Sequence, residues 1–316
     1  MHTRALRPVV VVAIAVLCVL VARQASAQDE RWNWTPQFGP NIVASAGAVA
    51  PADVGDSGQR YRFRVAGLGV AVPIAGGWDW DGQDISGFRL MVHGGFHLTA
   101  ATIPYSTDQQ DLFAMEAGVS AMHILGRDNQ IIWSAGVAMA EATSASSSPK
   151  PRLVGRVIAV HKCSETLTLL YGGAYAFITG KGRAIPVFGV LWRPRPGTTI
   201  TAIGPLVGRV HQQIGSHLMV GAQVGLRGNQ YRIGSNARFS SPTDELHLRV
   251  REVRIGGEAG LVVGRSLALF GEAGVATART VMFADGKTEL FSATAATQPY
   301  FTVSLRVSFK KTGRWD

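Results

Sequence analysis

The side chains equipped for chemistry in this sequence sit on segments that alternate in polarity. His93 and His97 lie on Phe88–Ala100, where Arg89, Met91, His93, His97 and Thr99 oppose Phe88, Leu90, Val92, Phe96 and Leu98. A strand turns successive side chains to opposite faces, so the two histidines share a polar face. An imidazole there could serve a serine nucleophile as general base. No serine is marked for that part: Gly118-Val119-Ser120-Ala121-Met122 lacks the second glycine of a nucleophile elbow. Two histidines alone make a weak metal site, and Cys163 stands in no CxxC or HExxH pattern. No metal or cofactor is expected, and the chain reads as a non-enzyme. A hydrolase would need a fold that brings a serine to His93 or His97.

Charged side chains gather on other polar faces. Arg60, Arg62, Arg64, Arg89, Arg249, Arg251, Arg254 and Arg306 stand with Glu116, Glu258 and Glu272. Arg60, Arg62 and Arg64 share one face opposite Tyr61, Phe63 and Val65, and three arginines cannot line a dry core. Such faces suit the polar interior of a barrel. They could attract anions into a pore, or pair with the glutamates as a ladder that stiffens the wall. Trp78-Asp79-Trp80-Asp81-Gly82 could grip a sugar or cation, but its tryptophans fit an interfacial aromatic girdle, with Trp133, Trp192 and Tyr231.

The elements that must position these residues are strands. The end of the chain, Tyr300 to Phe309, sets Phe301, Val303, Leu305, Val307 and Phe309 against Thr302, Ser304, Arg306 and Ser308 without a miss. Phe88–Ala100 is longer than the usual soluble strand and fits a tilted membrane strand. Further strands are expected at Ile42–Val49, Arg60–Val72, Leu112–Leu125, Gln130–Glu141, Arg152–His161, Thr166–Thr179, Ile185–Trp192, Ile200–His211, His217–Ile233, Leu246–Val263 and Leu267–Phe283. That makes thirteen. Single-chain barrels have an even number, so about 12 is adopted and about 14 is the alternative. The miscount lies at the weak Ile42 segment or at Gly204-Pro205. A slip of pattern at Gly67 and Gly69 predicts a bulge or kink, and another near Arg251-Glu252 predicts a bulge. Arg193 to Gly197, with two prolines, reads as a connection, and Ala284 to Thr297 as a loop. Loop lengths give opposite orientations from the two ends, and the conflict lies between Ile185 and Gly215.

The N-terminus reads as a processing segment. Arg4 and Arg7 precede the apolar run Val9–Ala22, and Ala25-Ser26-Ala27 offers a small-residue cleavage site. Leu17 before Cys18 does not fit lipoprotein cleavage, so the mature chain is expected to start at Gln28 with a periplasmic lead over residues 28–41. Losing Arg4, Arg7 and Arg23 takes the net charge from +10 to +7. A basic exported protein points to lipid phosphates rather than to nucleic acid. Cys163 alone then remains, so no internal disulfide is expected. No later apolar run is long enough for a membrane helix.

Export signal, long alternating strands and an aromatic closing strand together resemble the bacterial outer-membrane β-barrel proteins over Ile42 to Phe309. Ile185-Pro186-Val187-Phe188-Gly189-Val190, Ile203-Gly204-Pro205 and Tyr231-Arg232-Ile233 are similar to an uncharacterised family among them. The resemblance implies a transmembrane antiparallel up-and-down barrel over residues 42–316, located in the cell outer membrane. Its partners would be outer-membrane lipids, lipopolysaccharide and the barrel assembly machinery. Members of this kind often end on a phenylalanine, whereas here Phe309 precedes Lys310-Lys311-Thr312-Gly313-Arg314-Trp315-Asp316. The expected function is a passive narrow channel for small solutes or a structural envelope barrel. The alternatives are an outer-membrane lipid-modifying hydrolase and a soluble periplasmic β-sandwich.

Overall fold

The computed structural model describes residues 40–309 apart from 56–57, 81–84, 106–109, 144–149, 179–180, 205–206, 234–237, 240–245, 264–265 and 287. The expected signal peptide and most of the expected lead fall outside the described residues. The segments are β1 (Asn41–Val54), β2 (Gln59–Trp80), β3 (Ile85–Thr102), β4 (Gln110–Leu125), β5 (Asn129–Ala142), β6 (Arg152–Lys162), β7 (Leu167–Ile178), β8 (Lys181–Arg195), β9 (Thr198–Gly204), β10 (Val207–Ile214), β11 (Leu218–Arg232), β12 (Leu246–Val263), β13 (Leu267–Asp285), β14 (Thr288–Ala295) and β15 (Gln298–Ser308). Each pairs antiparallel with the next as far as β13. β13 then pairs with β14 along its last part and with β15 along its first, and both stretches run back along the same stave. β14 and β15 are therefore two halves of one strand, which closes the ring against β1. The fold is a closed antiparallel barrel of fourteen staves.

The adopted count of twelve is corrected to the alternative of fourteen. Ile42 begins a real strand, while Ile200–His211 is the hairpin of β9 and β10, because Pro205 has no N–H to give a continuing ladder. Arg193 to Gly197 is not all connection either. β8 runs on to Arg195, with Pro194 placed where the register slips, and only Pro196 and Gly197 turn the chain. Ala284 to Thr297 is largely strand as well, turning at Gly286, whose φ is 54°. The bulge near Arg251-Glu252 is present opposite Ala278, which takes a φ of 48°. The slip at Gly67 and Gly69 is not a bulge: shifts fall at Val49/Ala52 and Pro73/Ala75 instead. With β9 and β10 counted separately, the loop-length conflict disappears. Asn41, Ser308 and the turns at residues 126–128, 163–166, 196–197 and 215–217 share one end, the turn end. Cys163 is exposed there.

Carried once around the ring, the pair registers give a shear of about 16 residues, hence a tilt of roughly 40°, within the range for closed barrels. Outward positions form an apolar band: Leu68, Val70 and Val72 on β2, Val157 on β6, Phe188 on β8, Ile255 on β12, Phe301 on β15. It spans about ten residues of a long strand, or about 25 Å of height, the height of the apolar belt of transmembrane barrels.

Above the band, towards the loop end, the pattern inverts. Arg60, Arg62 and Arg64 continue the outward face of Leu68 and Val70, and Arg60 meets Asp53 there at 3.4 Å with both side chains mostly exposed. Tyr61 and Phe63 turn inward and are buried. They join Val49, Leu112, Leu248, Val250, Val281 and Phe283 in an apolar core that also receives Tyr105 and Phe239 from the loops. The lumen is thus not polar throughout.

Among the described residues, the core draws only on β1–β5 and β11–β15 and the loops between them. The reason is a pinch. Above Ala138, β5 has lost its β6 neighbour, and above Gly225, β11 has lost β10. The two vacated edges meet in a parallel contact, Arg232 beside Glu141. At the loop end nine staves therefore close on themselves, while β6–β10 stand outside as a flap. Truncating Phe283 to Ala should cost about 3–5 kcal/mol, because the cavity would open in a dry core. The outward Phe301→Ala should cost far less; equal losses in urea unfolding of the refolded barrel would refute an apolar core at this end.

Candidate functional site

The structure places the expected lumen residues in two groups. Arg89, His93, His97 and Glu116 stand inward on β3 and β4, and Arg254, Glu258, Glu272 and Arg306 inward on β12, β13 and β15. Arg60, Arg62 and Arg64 are corrected to the outer face. Above the apolar band water lies outside, so the aromatic partners of these arginines are the ones that turn in. Arg249 and Arg251 are likewise on the outer face of β12, continuing the row of Ile255 and Val253. Tyr231 is not part of a girdle: it is buried in the loop-end core, its hydroxyl 3.2 Å from Thr99. Trp192 and Trp133 do face outward, and Trp133 donates from Nε1 to His123 at 3.2 Å. The side chains of Trp78 and Trp80 lie outside what is described.

One wall of the lumen is a charge ladder. Arg209 Nε lies 3.2 Å from Glu258, and its Nη2 donates to Gln223 at 2.6 Å. Tyr300 donates to Glu272. Arg254 lies 4.9 Å over the Tyr300 ring and donates to Glu252 at 2.7 Å, while the fully buried Arg279 meets the same carboxylate at 3.2 Å. Arg209, Glu252, Arg279 and Tyr300 were not singled out from the sequence. Their signal is cross-strand pairing, which becomes visible only once the register is known.

On the opposite wall the fold does bring a serine to His93. Ser120 Oγ is 3.4 Å from His93 Nδ1, and Glu116 is 3.6 Å from Nε2. Both contacts are longer than a well-formed hydrogen bond. Ser120 lies in the interior of β4, paired on both sides, so the backbone N–H groups around it are committed to the ladders. No pair of donors is left to hold an oxyanion. At these distances the trio forms a loose polar contact across the wall.

The pinch makes the most distinctive site. Between the inner face of the flap and the outer face of β11 and β12 lies a bay. Arg152 on β6 donates from Nη2 to His247 Nε2 of β12 across it, at 2.7 Å. Arg232 binds Glu141 at 3.1 Å, both side chains almost wholly buried, and Glu141 also accepts from the Lys150 backbone at 2.9 Å. Arg183, inward on β8, and Arg251 add charge near Arg249, with Glu289 the carboxylate that answers them. Beneath the pinch lies a cavity of about 460 Å³, lined by His93, His97 and Glu116 from the lumen face and by Arg152, Gly228 and Gln230 from the bay face. No group of three metal-ligating side chains occurs among the described residues.

No protein-family model and no curated protein matches the chain. Solved structures similar to it include the β domain of the Bordetella autotransporter BrkA, at 14% identity over 86% of this chain and 100% of that one, with a TM-score of 0.36. The translocator domain of the autotransporter NalP from Neisseria meningitidis has 10% identity over 98% and 100%, with a TM-score of 0.39. The Pseudomonas putida toluene transporter TodX has 9% identity over 87% and 91%, with a TM-score of 0.35.

The buried pair at the pinch sets a test. Glu141→Gln removes the buried charge that answers the Arg232 guanidinium and should cost about 3–5 kcal/mol in equilibrium unfolding, whereas Glu141→Leu with Arg232→Met should recover most of it. A Glu141→Gln barrel as stable as the parent would show that the pinch is held by something else.

Proposed function

We propose that the chain is an integral outer-membrane β-barrel that acts as a narrow passive conduit for small anionic solutes, without catalysis of its own. The apolar band, of membrane height and bounded by outward arginines on β2, supports the membrane location. The observation that carries the conduit is the cavity under the pinch. The straight route along the barrel axis ends in the apolar core, but the lumen continues sideways through this cavity into the bay. Its walls hold more arginine than carboxylate along the way: Arg89 and Arg209 in the lumen and Arg152 at the passage, against Glu258, which pairs with Arg209, and Glu116 on the cavity wall. Fixed charges of one sign in a narrow passage select the opposite sign.

Single-channel recording of refolded protein in a planar bilayer, with a salt gradient, tests this. Small anion-preferring steps are expected. Arg152→Glu should move the reversal potential towards cations, and Gly228→Trp, whose Cβ would meet only ordinary contacts at Val250 O (3.5 Å) and Arg251 Cγ (3.9 Å) on the cavity wall, should cut the current. Silence from protein shown to be folded and inserted would leave a closed structural barrel and end the conduit reading. Independently, Val157→Arg in the middle of the band should weaken insertion by about 2–4 kcal/mol; no loss would remove the membrane assignment.

A further inference from the structure

β9 and β10 are too short for the band they belong to. With 7 and 8 residues they are the lowest part of the wall. At roughly 2.5 Å of height per tilted residue they rise less than about 20 Å, short of the apolar belt of about 25 Å. Their upper ends, at Gly204 and Val207, therefore lie within the hydrocarbon depth. At that tip the outer surface carries an apolar dent formed by Ala202, Gly204, Gly208, Val224, Leu226 and Val253. Directly above it the bay opens.

The residues change character along a single face. Leu226 pairs with Val253, Gly228 with Arg251, and Gln230 with Arg249, each pair about 6–7 Å further up the outer face of β11 and β12. Arg249 is more than nine-tenths buried. It donates from Nη2 to Gly286 O at 2.9 Å, yet its Nε has no hydrogen-bond partner among the described residues. Arg152 reaches from the flap to His247, two residues from Arg249 on β12, at 2.7 Å, Arg183 stands on the same inner face of the flap, and Glu289 acts on Arg249 with the opposite sign. Arginines gathered this closely repel one another unless an anion accepts their hydrogen bonds.

We infer that the bay is a binding site for a membrane lipid bearing a phosphate, its phosphate held by Arg152, Arg183, Arg249 and Arg251 and an acyl chain laid in the dent at the β9–β10 tip. Depth decides for a lipid over a free anion. The arginines sit just above the apolar band, at the level of a leaflet's phosphates, and the dent lies immediately below them within the band. The lower half of the site would be useless to an inorganic ion. A lipid held there would also narrow the passage from cavity to bay. The inference rests on the membrane reading and not on conduction: a protein that conducts but binds no such lipid would sink the present inference alone.

The test is titration of the full chain, folded in an uncharged maltoside detergent, with a phosphatidic acid of medium chain length, followed by native mass spectrometry and calorimetry. One saturable high-affinity site is expected, with inorganic phosphate much weaker. Arg249→Met together with Arg183→Met should weaken the lipid by about tenfold or more, since each removes charge-assisted hydrogen bonds. Gly208→Leu, whose Cβ would meet Val224 at 3.3 Å and fill the dent, should weaken the lipid and leave phosphate unchanged. Arg60→Gln with Arg62→Gln, on the far outer face, should change neither. Heat-modifiable gel migration reports folding of every variant. Lipid and phosphate binding equally, with Gly208→Leu silent, would reduce the site to a simple anion pocket. Absence of any saturable binding to folded protein would overturn the site altogether.

Discussion

The parallel meeting of β5 and β11 is the contact on which the rest of the barrel depends. Fourteen staves around one lumen would leave a cylinder open from end to end. Because β6 and β10 stop short, β5 and β11 carry vacant hydrogen-bonding edges, and such edges are costly wherever water is excluded. Joining them removes both at once and seals Arg232 against Glu141. It also gathers the inward aromatic side chains of nine staves closely enough to fill the space between them. Core, cavity and bay all follow from that closure. The core lies on one side of the joined edges, the bay on the other, and the cavity runs beneath them.

Two physical regimes therefore meet along single strands. In the lower part the outer surface is apolar and the interior holds charge, where Arg209 meets Glu258, Tyr300 donates to Glu272 and Arg254 donates to Glu252. In the upper part water lies outside and the interior is as dry as that of a soluble protein. β2 shows the change on one face, from Arg60, Arg62 and Arg64 to Leu68, Val70 and Val72.

That inversion explains what could be read from the sequence and what could not. Period-2 alternation is a local property, so β3, β4 and the closing strand were legible residue by residue, and Arg89, His93, His97 and Glu116 sit on the face expected for them. Which of two faces looks inward is not local. For Arg60, Arg62 and Arg64 it depends on where the band ends, which a single strand does not reveal. Tyr231 deceived for the same reason. The split of Ile200–His211 was marked by Gly204-Pro205, but β14 was hidden, because Thr288 to Ala295 is too mixed in polarity to alternate visibly. The bay lay beyond reach of the sequence. Its arginines come from β6, β8 and β12, and only the pinch brings them together.

The count of staves in the upper ring is nine, and nine is odd. Strands joined by hairpins alternate in direction, so a ring of alternating strands can close without conflict only when their number is even. Setting five staves aside changes the parity, and one junction must then join two strands that run the same way. The parallel pairing of Arg232 with Glu141 is thus a matter of arithmetic before it is one of energy. A flap of four or six staves would have met the ring with antiparallel edges. This barrel, even at one end and odd at the other, has its seam where the two numbers differ.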